Sequence, residues 1–156
     1  MKSLLLALTL TTALTLPAVA MAKPVTLTTT LKDYGGNGAY LAIYVTDAKN
    51  AYAGSLWMAG PRSRYYEHLT DWYRATGGDP GQINGITGAS VGPGRSLKIT
   101  LDLADALFDA GYTLHFDAAA ENMRESPNDV AVPLTTAGAG KAVKGRRYVS
   151  TFTYGF

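Results

Sequence analysis

From Asn84 to Gly94 the chain reads Asn-Gly-Ile-Thr-Gly-Ala-Ser-Val-Gly-Pro-Gly, and two hydroxyl residues, Thr87 and Ser90, flank the small residues Gly88 and Ala89. Glycine opens backbone conformations closed to other residues and lets a second molecule approach the main chain. Gly92-Pro93-Gly94 then stops any helix or strand from running through. The pattern predicts a loop that presents the Ser90 hydroxyl to solvent. An exposed oxygen with little bulk before it suits a side chain that another enzyme modifies, because the oxygen must enter a foreign active site. The plainer reading of the same residues is a tight turn ahead of a strand, with Thr87 capping its own backbone.

Other chemistry is thinner. The two histidines, His68 and His115, fall on different predicted elements and neither has a partner at metal-ligand spacing. Cysteine is absent, which excludes disulfides, thiolate metal sites and a lipid-anchored cysteine. Ser90, a histidine and Asp71 or Asp102 supply the residue types of a hydrolytic triad, yet no nucleophile-elbow sequence surrounds Ser90. The loop also lacks the Gly-Lys-Ser/Thr of a nucleotide-binding P-loop. These observations favour a protein that is not an enzyme and binds no metal. Arg62, Arg64, Arg74 and Arg95 flank the loop in sequence and are able to grip a phosphate, or else form a solvated face. Trp57, Tyr65, Tyr66, Trp72 and Tyr73 have the flat area to stack on a ring or a sugar. A stripe of this kind is more often the buried face of a helix.

The elements that must position these residues are mostly strands. Val25, Leu27 and Leu31 alternate with threonines, Tyr40 to Val45 is apolar on both faces, and Tyr52 to Met58 follows a turn. The period then changes. Tyr65, Tyr66, Leu69, Trp72 and Tyr73 share one helical face between Pro61 and Gly77-Gly78, which predicts one helix over 62–75. Beyond the Ser90 loop, Leu97, Ile99 and Leu101 alternate with polar residues. Tyr112, Leu114 and Phe116 alternate with Thr113, His115 and Asp117, so both segments read as strands with one wet face. A short strand from Val130 to Leu134 is confined to an edge by Pro133. The last strand, 147–156, places Tyr148, Phe152, Tyr154 and Phe156 on one face. Aromatic residues ending in Phe also close outer-membrane barrels, but the helix and the short edge strand do not fit a barrel. About seven strands separated by turn signals predict an all-β, immunoglobulin-like β-sandwich with one inserted helix.

The first residues predict export. Lys2, an apolar run from Leu4 to Leu16 and Pro17 to Ala22 form a signal peptide over 1–22, with cleavage after Ala20 or after Ala22. The apolar run is shorter than the roughly 20 residues a membrane span needs, so no stable membrane insertion is expected. The remaining 23–156 is read as a single β-sandwich domain of ordinary size, located in the periplasm. The formal charge of +2 falls to about +1 once Lys2 leaves with the leader, too little for a nucleic-acid or anionic-lipid footprint.

Several short motifs carry a resemblance. Leu56-Trp57, Tyr65 to Trp72, Thr87 to Ser90, Leu101 to Asp105 and Gly111-Tyr112 together resemble an exported bacterial family, domain of unknown function 2271, over nearly the whole mature chain. Ile99 to Ala120 is also similar to a strand pair of an immunoglobulin-like domain in the flagellar hook-capping protein. The family resemblance implies an exported protein without established enzymatic activity, encoded near membrane PepSY-type reductases or flavin transferases. The loop further resembles the site at which envelope flavin transferases attach flavin mononucleotide (FMN) through a phosphoester: Asp, two variable residues, Ser or Thr, Gly, Ala, Thr. Thr87, Gly88 and Ala89 match, Asn84 stands in place of the Asp, and Ser90 stands at the acceptor position. The resemblance thus implies a non-enzymatic periplasmic accessory of a redox system with covalent FMN on Ser90. The alternative is a structural or small-ligand-binding immunoglobulin-like domain with no cofactor.

Overall fold

Alternation along β1 (Ala22–Leu31) buries Val25, Leu27, Thr29 and Leu31 on one face and leaves Thr26, Thr28 and Thr30 on the other. β1 is the middle of a three-stranded antiparallel sheet, between β5 (Ser96–Ala104) and β8 (Val149–Gly155). A five-stranded sheet faces it, built from β2 (Tyr40–Thr46), β3 (Tyr52–Ala59), β4 (Thr87–Gly88), β6 (Thr113–Ala119) and β7 (Ser126–Pro133) in the order β4-β3-β2-β6-β7. All pairs in it are antiparallel except β3 with β4. The protein is therefore an all-β sandwich. This computed structural model describes residues 21–156; the predicted signal sequence lies, apart from Met21 and Ala22, outside them.

The core lies between the sheets. Leu41, Ile43 and Val45 of β2, Leu114 and Phe116 of β6 and Phe152 and Tyr154 of β8 are all buried there, and the Phe116 and Phe152 rings meet edge to face at 4.9 Å. Fully burying one such side chain contributes about 1.5–3 kcal/mol. Phe156 was expected on the same inward face, but it is 56% exposed, with the Lys23 ammonium 3.9 Å from its ring centroid.

Three local expectations change. The predicted single helix is two pieces, a 3₁₀ segment Ser63–His68 and α1 (Thr70–Thr76), broken at Leu69, where φ is −90° and ψ is 70°. Tyr66, Leu69 and Trp72 are the residues buried beneath these pieces, and their spacing of three fits a 3₁₀ turn as well as one face of an α-helix. Tyr73, expected on the buried stripe, is 38% exposed. Second, the face of β6 expected to be wet is covered: Asp117 is 0% exposed beneath the first turn of α1, whose Trp72 N–H it accepts, and His115 is half-buried against Tyr44 and Asn128. Third, the short strand expected from Val130 to Leu134 begins earlier and ends at Pro133. β7 starts at Ser126, a register shift occurs opposite Phe116 and Ala118, and Asn128 takes a φ of 49°. Among the described residues no helix is long and apolar enough to cross a membrane.

Candidate functional site

Ser90 is exposed, and its position follows from two backbone anchors. On one side Met58 N–H bonds Ile86 C=O and Gly60 N–H bonds Gly88 C=O, each at 2.8 Å, which fixes Thr87 and Gly88 as the edge strand β4. On the other, Val91 and Ala39 exchange both backbone hydrogen bonds, at 2.9 and 2.7 Å. Ala89 and Ser90 are the short bridge between these anchors, with exposed side chains. A Cβ at Gly38 would lie 2.7 Å from Ser90 Oγ, so the glycine makes the room in which that hydroxyl stands. At Gly88 a Cβ would come 2.7 Å from Cζ2 of Trp57, so this glycine lets the indole lie against the strand.

Ala89 and Ser90 line a groove of about 690 Å³, within the usual range of roughly 300–1,000 Å³ for small-molecule sites. Tyr40, at the start of β2, packs edge to face on Tyr65 of the 3₁₀ segment at 5.4 Å, and its hydroxyl accepts the Arg62 N–H at 3.3 Å. The connection between β6 and β7 forms the opposite wall, where Asn37 Nδ2 donates to Glu121 Oε2 at 2.7 Å. His68 and Glu125 also line the groove, and His68 Nδ1–H donates to Glu125 Oε1 at 2.6 Å. His68 Nε2 faces Glu67 Oε1 at 3.9 Å. Among the described residues Ser90 Oγ has no hydrogen bond to either histidine: His68 bonds Glu125, and His115 bonds Asn128 and Thr46.

The remaining sequence-predicted residues separate from Ser90. Asn84 is exposed at the end of the 3₁₀ turn Pro80–Ile83 and does not line the groove. Thr87 Oγ1 donates to Ile83 C=O at 3.1 Å, which is local backbone capping. Of the four flanking arginines only Arg62 reaches the groove. Arg64 lies over the Tyr65 ring at 4.8 Å and Arg74 pairs with Asp71 at 3.1 Å. Tyr40, His68, Glu121 and Glu125 were not singled out by their sequence context as parts of one site. They come from three separate segments, β2, the 3₁₀ piece and the β6–β7 connection, and only folding brings them together.

A polar network on the outer face of the large sheet holds the helical layer that makes one groove wall. Asp117 accepts the Trp72 N–H at 2.7 Å, the Asn128 N–H at 3.0 Å and the Tyr44 hydroxyl at 3.3 Å. Burial pushes the Asp117 carboxyl above its ordinary range; the Asn128 and Trp72 N–H groups oppose that shift and nearby Asp71 adds to it. Burial likewise raises the Tyr44 hydroxyl, with Asp117 contributing. Asn128 Nδ2 donates to Asp71 Oδ2 at 2.9 Å, which leaves Asn128 Oδ1 to accept His115 Nδ1–H at 2.6 Å. His115 Nε2 is then free to accept from Thr46 Oγ1 at 2.8 Å, and its ring stacks on Tyr44 at 5.1 Å.

No curated protein and no solved structure matches the chain. A family model described as predicted periplasmic protein, DUF2271, matches residues 22–151, and the chain belongs to that family.

Proposed function

We propose that the protein is a non-enzymatic binding module of the periplasm whose ligand site is the groove beside Ser90, and that it carries FMN on the Ser90 hydroxyl. The observation that carries this reading is the placement of an exposed, unbonded serine oxygen at the edge of a groove with aromatic residues in its wall. Attachment needs an oxygen that fits into a transferase, and Ala89 and Ser90 lie exposed between two backbone anchors, with Gly88 and Gly38 adding no side chain beside them. The transferase would pass FMN from flavin adenine dinucleotide to Ser90 Oγ: the new phosphoester forms as the pyrophosphate bond breaks, and AMP leaves with the hydroxyl proton. Tyr40 and Tyr65 offer surface to a flat ring, and Arg62 offers a cation to a phosphate. A membrane reductase of PepSY type would supply electrons.

The test is the intact mass of the chain coexpressed with an envelope flavin transferase. The expected result is a gain of one FMN residue that disappears in Ser90→Ala. An unmodified mass, or an adduct that survives Ser90→Ala, overturns Ser90 as the attachment point. The mixed groove lining, with Asn37, Glu121 and Glu125 facing Tyr65, also favours a second reading in which a small polar ligand binds without covalent attachment.

A further inference from the structure

Beyond Glu125 lies a second concavity, of about 440 Å³, lined by Arg124, Arg146 and Arg147 with Glu125, Ser126 and Pro127. Its arginines come from two segments, the β6–β7 connection and the turn before β8. Exposed arginines on a loop usually do no more than stay solvated. Here their main chain is held from beneath by two fully buried side chains.

Asp129 is 1% exposed, and its carboxylate accepts the N–H groups of Arg147 at 2.6 Å, Tyr148 at 3.0 Å and Val149 at 2.8 Å, and the Ser126 hydroxyl at 2.7 Å. Its carbonyl accepts the Arg146 N–H at 2.8 Å. Tyr148, 0% exposed, donates its hydroxyl to the Arg124 carbonyl at 2.8 Å. The negative charge of Asp129 is thereby spent on backbone, and among the described residues none of the three guanidiniums forms an ion pair. Arg146 Nη1 bonds only the Pro127 carbonyl, at 3.4 Å, and Lys32 Nζ adds a further cation by donating to the Arg146 carbonyl at 3.2 Å. The one acidic residue in the lining, Glu125, gives Oε1 to His68.

We infer that this pocket is an oxyanion site for a phosphate-bearing ligand, with Arg124, Arg146 and Arg147 as the binding groups. Like charges gathered on a pinned backbone repel one another, and an anion between them removes that cost. Guanidiniums also bind phosphate oxygens in bidentate fashion. The ligand is a free phosphate or the phosphomonoester headgroup of a lipid, which present the same chemistry. The inference is independent of any modification at Ser90.

The experiment is calorimetric titration of the full mature chain with inorganic phosphate and pyrophosphate at low ionic strength. A parallel arm measures cosedimentation with phosphatidylcholine vesicles with and without phosphatidic acid. Saturable binding in either arm is expected, weakened by added chloride and by about tenfold or more in the triple variant Arg124→Gln, Arg146→Gln, Arg147→Gln. The arm that responds identifies the source of the phosphate. Glu125→Gln, which removes the one acid in the lining, should bind tighter than the parent. The inference is overturned if neither arm shows binding, if binding persists in a triple variant with an unchanged melting temperature, or if Glu125→Gln binds no better.

Discussion

The two faces of the five-stranded sheet are built on different principles. Its inner face is dry: Leu41, Ile43, Val45, Leu114 and Phe116 meet the small sheet through aliphatic and aromatic contacts. The outer face has an apolar centre of Ala42, Met58, Tyr66, Leu69 and Trp72, but the helical layer over it is tied down by polar bonds to Asp117, Ser55 and Asn128. Dry packing is tolerant of exchange and non-directional, whereas a buried carboxylate specifies where each N–H must sit. The inner face thus supplies stability, and the outer face fixes the position of the segment that carries Arg62, Tyr65 and His68 into the groove.

Variants on the two faces should separate these roles. Phe116→Ala on the inner face should cost about 3–5 kcal/mol, read from the denaturant midpoint, and should raise hydrogen exchange throughout both sheets. Asp117→Ala on the outer face should cost on the order of 2–4 kcal/mol, since it strands the buried Trp72 N–H and the half-buried Asn128 N–H. Its signature should be local, with exchange rising over residues 63–76 while β1, β5 and β8 stay protected. Uniform exchange in both variants would contradict the division.

A smaller effect follows from the Asp117 proton. Its folded carboxyl titrates above the ordinary value of 3.8, so between that value and the raised one the folded state binds more protons than the unfolded state. Stability contributed by this group is therefore complete below 3.8 and is lost as pH rises through the raised value. Asp117→Asn removes the titration, so the parent should lose stability relative to this variant on going from acid to neutral pH. A difference that stays constant with pH, or has the opposite sign, would show that burial does not dominate at this position.

Much of the sandwich was legible because period-two alternation is a direct imprint of a half-buried strand, as in Val25 to Leu31. Tyr40 to Val45, apolar on both faces, announced the middle strand covered on both sides. The break at Leu69 was not legible, because Tyr65, Tyr66, Leu69, Trp72 and Tyr73 fit an α-period, while the buried set Tyr66, Leu69 and Trp72 fits a 3₁₀ period equally well. His115 and Asp117 looked wet because polar residues alternating with apolar ones usually are. The groups that cover them, Trp72 of α1 for Asp117 and Tyr44 and Asn128 for His115, lie elsewhere in the sequence, and nothing local signals that a carboxylate will cap the first turn of α1. At the candidate site the exposure of Ser90 was legible from Gly88, Ala89 and the Gly-Pro-Gly that follows. The groove was not, since Tyr40, His68, Glu121 and Glu125 converge only through pairing of β2 with β3 and β6.

The most direct test of the groove as the ligand site is a titration of the isotopically labelled, unmodified chain with free FMN, followed residue by residue by NMR. Perturbations concentrated at Asn37, Tyr40, Arg62, Tyr65 and Ser90, and lost in Tyr65→Ala, are the predicted result. Absent perturbations, or a cluster on the threonine face of β1 and β8 instead, would contradict it.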